Sequence, residues 1–157
     1  MNTMPTDQAA NRLMVEVHYY TPYNFCLMDG DASWGKMFYY WGAGHHSTLE
    51  PARNATWGEE TEVIKWFDKM KSMFIDKNIP VLMGEYGAYR RGGGPRNIPQ
   101  DLATHNDAVD YWITYVTKQA LARCIKPFWW DIGGLIDRSN NKVADQRSLD
   151  ALIAGTK

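Results

Sequence analysis

The feature that most constrains this chain is a threefold alternation. Three short β-forming segments are each followed by a polar or aromatic loop and then a stretch with helical periodicity. Leu13–Tyr20 alternates and is rich in β-formers, so it reads as a strand. Ile79–Tyr86 and Pro127–Asp131 are short and largely apolar, as buried parallel strands are. Between them, Val63, Trp66, Phe67, Met70 and Phe74 recur at helical spacing in a segment running to about Lys77. Thr56 and Glu59 have the form of a capping box at its start, and Asn78 ends it. Asp101–Cys124 reads as a second helix and Gln146–Ala154 as a third.

Strands alternating with helices imply parallel strands joined by right-handed crossovers. Each loop after a strand is longer and richer in polar and aromatic residues than the loop before the next strand. That asymmetry is the mark of a (β/α)8 (TIM) barrel, whose function sits on loops at the C-terminal strand ends. The expected fold class is therefore α/β, a partial TIM barrel of about its last three β/α units. A doubly wound sheet is the alternative, but no Gly-rich phosphate loop follows any strand. Gly92–Gly94 leads into Pro95 and does not open a helix. The whole of residues 1–157 reads as one domain.

The strand ends carry the chemistry. They are His18 and Tyr20, then Glu85 and Tyr86, then Trp129, Trp130 and Asp131. Strict alternation places Met14, Glu16, His18 and Tyr20 on one face, and Val81, Met83 and Glu85 on one face of the second strand. A Glu closing an apolar strand is costly unless it has work to do or a partner such as Arg90 or Arg91. As an ionised nucleophile it needs hydrogen-bond donors beside it, and His18 and Tyr20 are placed to supply them.

Aromatic residues make up 13% of the chain, with seven Trp, more than a core of this size needs. Aromatic rings stack on the apolar faces of pyranose sugars, so a sugar-binding cleft competes with a Trp-rich core as the explanation. Trp34, Trp41 and Trp57 fall in the long Thr21–Glu60 connection, where cleft-lining is expected of at least one. The net charge of −1 favours neither nucleic acid nor an anionic membrane as partner. No stretch approaches a membrane span of about 20 apolar residues. Residues 1–12 are polar and carry no secretory signal, so localisation is not legible from these residues. Cys26 and Cys124 read as free, buried thiols. His45 and His46 with Asp29 or Asp31 lack regular ligand spacing, so no metal and no cofactor is expected. His105 reads as a helix-surface or cap residue, and Asn54–Thr56 has the form of a glycosylation sequon.

Val17-His-Tyr-Tyr20, Gly84-Glu-Tyr-Gly87 and Phe128-Trp-Trp-Asp131, in this order and spacing, resemble the sixth, seventh and eighth strands of glycoside hydrolase family 5. The likeness is to its bacterial endoglucanase–xyloglucanase branch. Phe38–Ser47 and Asn54–Glu60 resemble that branch too. The resemblance implies a C-terminal fragment of a catalytic domain, a retaining endo-β-1,4-glucanase acting on β-glucan, and a secreted or cell-surface location. Glu85 matches the nucleophile, and His18 and Tyr20 match the pair that orients it and contacts sugar. Trp130, with Trp129 as runner-up, matches the aromatic platform at the cleavage point. Trp41, His45 and His46 are expected to contact substrate.

Retention requires a second carboxyl about 5–5.5 Å from the nucleophile. In the family it is a Glu after an Asn at the fourth strand end, and no Glu here has that setting. Glu16 is expected deeper in the barrel; Glu50 lies in a loop; Glu59, Glu60 and Glu62 favour a helix start. The acid/base Glu is therefore expected to be absent from this chain. The alternative is a catalytically incomplete fragment that binds β-glucan or only assembles with another chain. Three strands cannot close a barrel, and their open edges invite homo-oligomerisation or strand exchange.

Overall fold

The computed structural model describes residues 4–157. In chain order the elements are β1 (Val15–Tyr19), α1 (Tyr23–Cys26), α2 (Glu60–Met73), β2 (Val81–Tyr86), α3 (Leu102–Leu121), β3 (Lys126–Trp129), β4 (Ile136–Asp137), β5 (Lys142–Val143) and α4 (Gln146–Gly155). The first three major strands form one parallel sheet in the order β1-β2-β3. Sequential parallel order with helices between the strands is what a barrel segment shows, and a doubly wound sheet would reverse direction. β4 and β5 make a small antiparallel ribbon in the loop after β3, which the sequence reads only as a polar loop.

One face of the sheet is covered by helices. Val81, Met83 and Tyr86 of β2 meet Val63 and Phe67 of α2, and Val109, Trp112, Ile113 and Val116 of α3, all in one buried cluster. Each fully buried side chain of this kind contributes about 1.5–3 kcal/mol. Tyr19 stacks on Trp112 at 6.2 Å and meets Phe67 edge-on at 5.0 Å. The Trp112 indole N–H donates to the Thr21 carbonyl at 3.2 Å, fixing the exit of β1 against α3. Where α4 crosses α3, a Cβ on Gly155 would lie 2.6 Å from the Thr117 Cβ, so only glycine allows this approach.

The opposite face is uncovered among the described residues. Met14 and Phe128 are 60% and 56% exposed there, alongside Glu16 and Leu82. The outer edges of β1 and β3 have no strand partner among the described residues.

Helix ends follow side-chain chemistry. Asp101 accepts from the Thr104 amide and Asp145 from the Ser148 amide. α2 begins at Glu60, not at Thr56, and its N-cap Glu59 gives no side-chain cap. The expected capping box does not form because the Glu59 carboxylate is taken by the Gly42 amide and His46. Asn78 ends the segment in the left-handed conformation. Trp66 is not part of the core: it is exposed, with Lys65 and Lys69 over its ring. Both cysteines are free; Cys26 is buried, but Cys124 is exposed.

Candidate active site

Glu85 does not share a face with Val81 and Met83. The parallel register shifts between Val17 and His18, so that Val17 pairs with Met83 but His18 pairs with Glu85. Gly84 is the extra residue of a bulge, and bulges re-aim side chains. Val81, Met83 and Tyr86 turn toward the helices, while Glu85 turns to the side of His18 and Tyr20. Strict alternation places it with Val81 and Met83, and the bulge is the reason it is not there.

The two expected neighbours are in place. The Tyr20 hydroxyl donates to Glu85 Oε2 at 3.0 Å, and His18 Nδ1 lies 3.6 Å from the same oxygen. Burial, reinforced by the Glu85 carboxylate, pushes the Tyr20 phenol well above the ordinary tyrosine range. Tyr20 therefore remains a neutral donor at any working pH. Neither arginine pairs with Glu85. Arg90 bonds Asp110 at 2.5 Å and Asp145 at 3.1 Å, tying the loop after β2 to α3 and α4.

Beside Tyr20 opens a groove of about 810 Å³ between the loops that follow β1, β2 and β3. Leu27, Tyr89, Leu102, Trp129, Trp130 and Ile132 give it apolar walls. Glu85 is not among its lining residues; Tyr20, which bonds Glu85, stands at its border. Trp130 is half exposed on the side of Phe128, whereas Trp129 turns to meet Tyr86 edge-on at 5.4 Å. The Trp130 backbone is fixed by donation to the Tyr86 carbonyl. Asp131 accepts from the Gly133 and Leu135 amides and shapes the next turn.

Three expected substrate contacts lie elsewhere. Trp41 is fully buried; its indole N–H donates to the Gly58 carbonyl at 2.8 Å and its ring packs against Tyr111 and Tyr115. A loop can bury a tryptophan when the backbone supplies an acceptor, and that is what happens here. His45 lies against the Tyr111 ring at 4.5 Å, and His46 bonds Glu59 at 2.7 Å. Neither borders the groove. Trp34 and Trp57 are exposed but also outside it.

Two residues to which the sequence reading gives no site role support the groove: Arg91, which lines it, and His105 behind it. Arg91 is only 3% exposed and donates to the carbonyls of Phe25, Asn24 and Met28. Its guanidinium lies between the rings of Tyr39 and Tyr89. Burial of that charge draws its pKa down to about 10. His105, fully buried, corrects the surface expectation. Its Nε2 accepts from the Arg91 amide at 2.8 Å and its Nδ1 donates to the Tyr39 carbonyl at 2.6 Å. Burial lowers its pKa to about 4, so it is neutral near pH 7. The doubled Arg at a strand exit was the one available signal for this wall.

Among the described residues, no group of three or more His, Cys, Asp or Glu side chains is placed to hold a metal ion. His46 is engaged by Glu59 and Asp31 by Arg53. Also among the described residues, no helix is long and apolar enough to cross a membrane.

Glu85 thus stands at the end of a parallel strand with the Tyr20 hydroxyl and the His18 ring at one of its oxygens, which is where barrel-class proteins place their functional groups. The chain belongs to glycosyl hydrolase family 5: the family model described as Cellulase matches residues 1–135. A xyloglucan-specific endo-β-1,4-glucanase of Bacteroides ovatus is 30% identical over 98% of this chain. Endoglucanase A of Paenibacillus barcinonensis is 29% identical over the same share. The chain spans 29% and 36% of those two relatives, about a third of their length. Among solved structures, the Bacteroides ovatus family 5 xyloglucanase in complex with a XXXG heptasaccharide superposes with a TM-score of 0.82 at 29% identity, covering 98% of this chain and 31% of that one. A xyloglucan-specific β-1,4-glucanase from a ruminal metagenomic library, in complex with XXLG, gives 0.79 at 36% identity, covering 92% and 38%.

Proposed function

We propose that this chain supplies the nucleophile side of a retaining endo-β-1,4-glucanase acting on β-glucan. The observation that carries the reading is the convergence of Tyr20 and His18 on one oxygen of Glu85. Glu85 attacks the anomeric carbon, the aglycone oxygen leaves with a proton from the acid, and a glycosyl ester forms on Glu85. Water, deprotonated by the same second carboxyl, then releases the sugar with its configuration retained. That carboxyl comes from outside these residues. Trp130, open to the groove side, is the sugar platform, ahead of Trp129 whose ring is engaged by Tyr86. The named substrates of the relatives, xyloglucan among them, agree with a β-glucan.

A trapping experiment tests the nucleophile without needing the acid. A fluorinated dinitrophenyl cellobioside carries a leaving group that departs unprotonated, and fluorine slows hydrolysis of the ester. Intact-mass spectrometry should show one label, and peptide mapping should place it on Glu85. Labelling that persists in Glu85→Gln sinks the assignment.

The bare sheet face favours a second reading, that the chain works only when another chain covers it. Met14 and Phe128 expose apolar surface beside two strand edges that are unpaired among the described residues. Light scattering after size exclusion should then report a species larger than one chain, and Phe128→Asp should shift it toward monomer. A monomer across the concentration series rejects self-assembly.

A further inference from the structure

Glu16 sits two residues before His18 on the bare face of β1, with its side chain half exposed. Its Oε1 lies 3.3 Å from His18 Nε2, while the opposite ring nitrogen faces Glu85. The His18 ring thus stands between two carboxylates with different duties. The bulge explains how Glu16 gets there. A Cβ on Gly84 would lie 2.0 Å from Glu16 Oε1 and 2.8 Å from its Cδ, so the carboxylate fills the space over that glycine. The Gly84 backbone is not left-handed, so its missing side chain makes room for Glu16 and relieves no backbone strain.

We infer that Glu16 is a positioning residue: seated over Gly84, it accepts from His18 Nε2 and so holds the imidazole in the orientation that addresses the nucleophile. A carboxylate beside each ring nitrogen, Glu16 at Nε2 and Glu85 at Nδ1, sets the ring plane from both ends. This inference rests on the reading of Glu85 as nucleophile, but the contact can be measured separately. The same bulge serves both carboxylates, turning Glu85 toward His18 and leaving Gly84 bare beneath Glu16.

Proton–nitrogen correlation spectra of the imidazoles give the direct test, since the chain has only four histidines. In the full chain His18 Nε2 should carry a proton bonded to Glu16, and Glu16→Ala should move the ring-nitrogen shifts. Glu16→Gln keeps an acceptor oxygen and should stay near wild type. Gly84→Ala displaces the flexible end of Glu16, not backbone, so it should fold and reproduce the Glu16→Ala spectrum. In the double variant Gly84→Ala should add nothing. The rate of covalent trapping at Glu85 should fall about tenfold in Glu16→Ala and in Gly84→Ala, the scale of one hydrogen bond near a charged group. Unchanged His18 spectra in Glu16→Ala, additive effects in the double variant, or shifted spectra with an unchanged trapping rate would each overturn the inference alone. No label on the wild-type chain would overturn the nucleophile reading, and this inference with it.

Discussion

His105→Gln should make folding stability less sensitive to acid. His105 is fully buried between the Tyr39 carbonyl and the Arg91 amide, with Phe25 and Tyr39 rings about it. Burial first, and then the Arg91 and Arg90 charges, pull its pKa to about 4, against the opposing pull of the Tyr39 carbonyl. The unfolded chain keeps a value of about 6.5. As pH falls, the unfolded state therefore binds the proton first, and stability is lost from about 6.5 downward until the folded value is passed near 4. At about pH 5 the loss amounts to about 2 kcal/mol, and it levels off at about 3 kcal/mol. The mechanism is concrete: a proton on Nε2 would face the Arg91 N–H, donor against donor. A glutamine amide can donate to Tyr39 and accept from Arg91 without titrating. Urea unfolding followed by tryptophan fluorescence, at about pH 7.5 and about pH 5, gives the comparison. Carboxylates titrate in both proteins, so the difference between them isolates His105. Equal acid losses in the two proteins, or an NMR midpoint for His105 near the unfolded value, would refute the reasoning.

Tyr20→Phe deletes the donor to Glu85 Oε2 and should slow trapping at Glu85 by about 10–100-fold, the scale of a hydrogen bond to a charged group; unfolding curves should barely move. Trp41→Ala and Trp130→Ala should separate core from groove. The first should cost about 3–5 kcal/mol in denaturant unfolding. The second should leave stability intact but abolish retardation on β-glucan affinity gels. Asp101→Ala removes both a helix cap and the acceptor of the Ser47 hydroxyl, and should cost about 1 kcal/mol by thermal unfolding.

The alternation of strands and helices was readable because each helix shows its buried stripe and each strand its β-formers. What failed, failed where a tertiary partner overrides local pattern. Glu85 is legible as a strand-end carboxylate, but its face is not, because the bulge at Gly84 is a matter of pairing with β1, another strand. His105 looks like a surface residue until Arg91 and Tyr39 supply one acceptor and one donor role for its ring. Trp41 lies in a segment without periodicity, which suggested exposure; the Gly58 carbonyl that satisfies its N–H is invisible to pattern reading. Thr56 and Glu59 have capping-box spacing, yet Glu59 serves the Gly42 amide. In the candidate site, residue types were legible and orientations were not.

The Arg91 clasp also bears on the order in which this polypeptide can take shape as it is made. The carbonyls of Phe25 and Met28 wait for a guanidinium more than sixty positions later. Tyr39 waits as long for His105 of α3, and Thr21 longer still for Trp112. Emerging from a ribosome, residues 21–40 have no way to satisfy these groups internally until Arg91 and α3 follow them out. The segment that forms one bank of the groove is therefore made before its partners and is among the last secured, and a pause in translation before Trp112 would leave it open to hydrolysis by proteases.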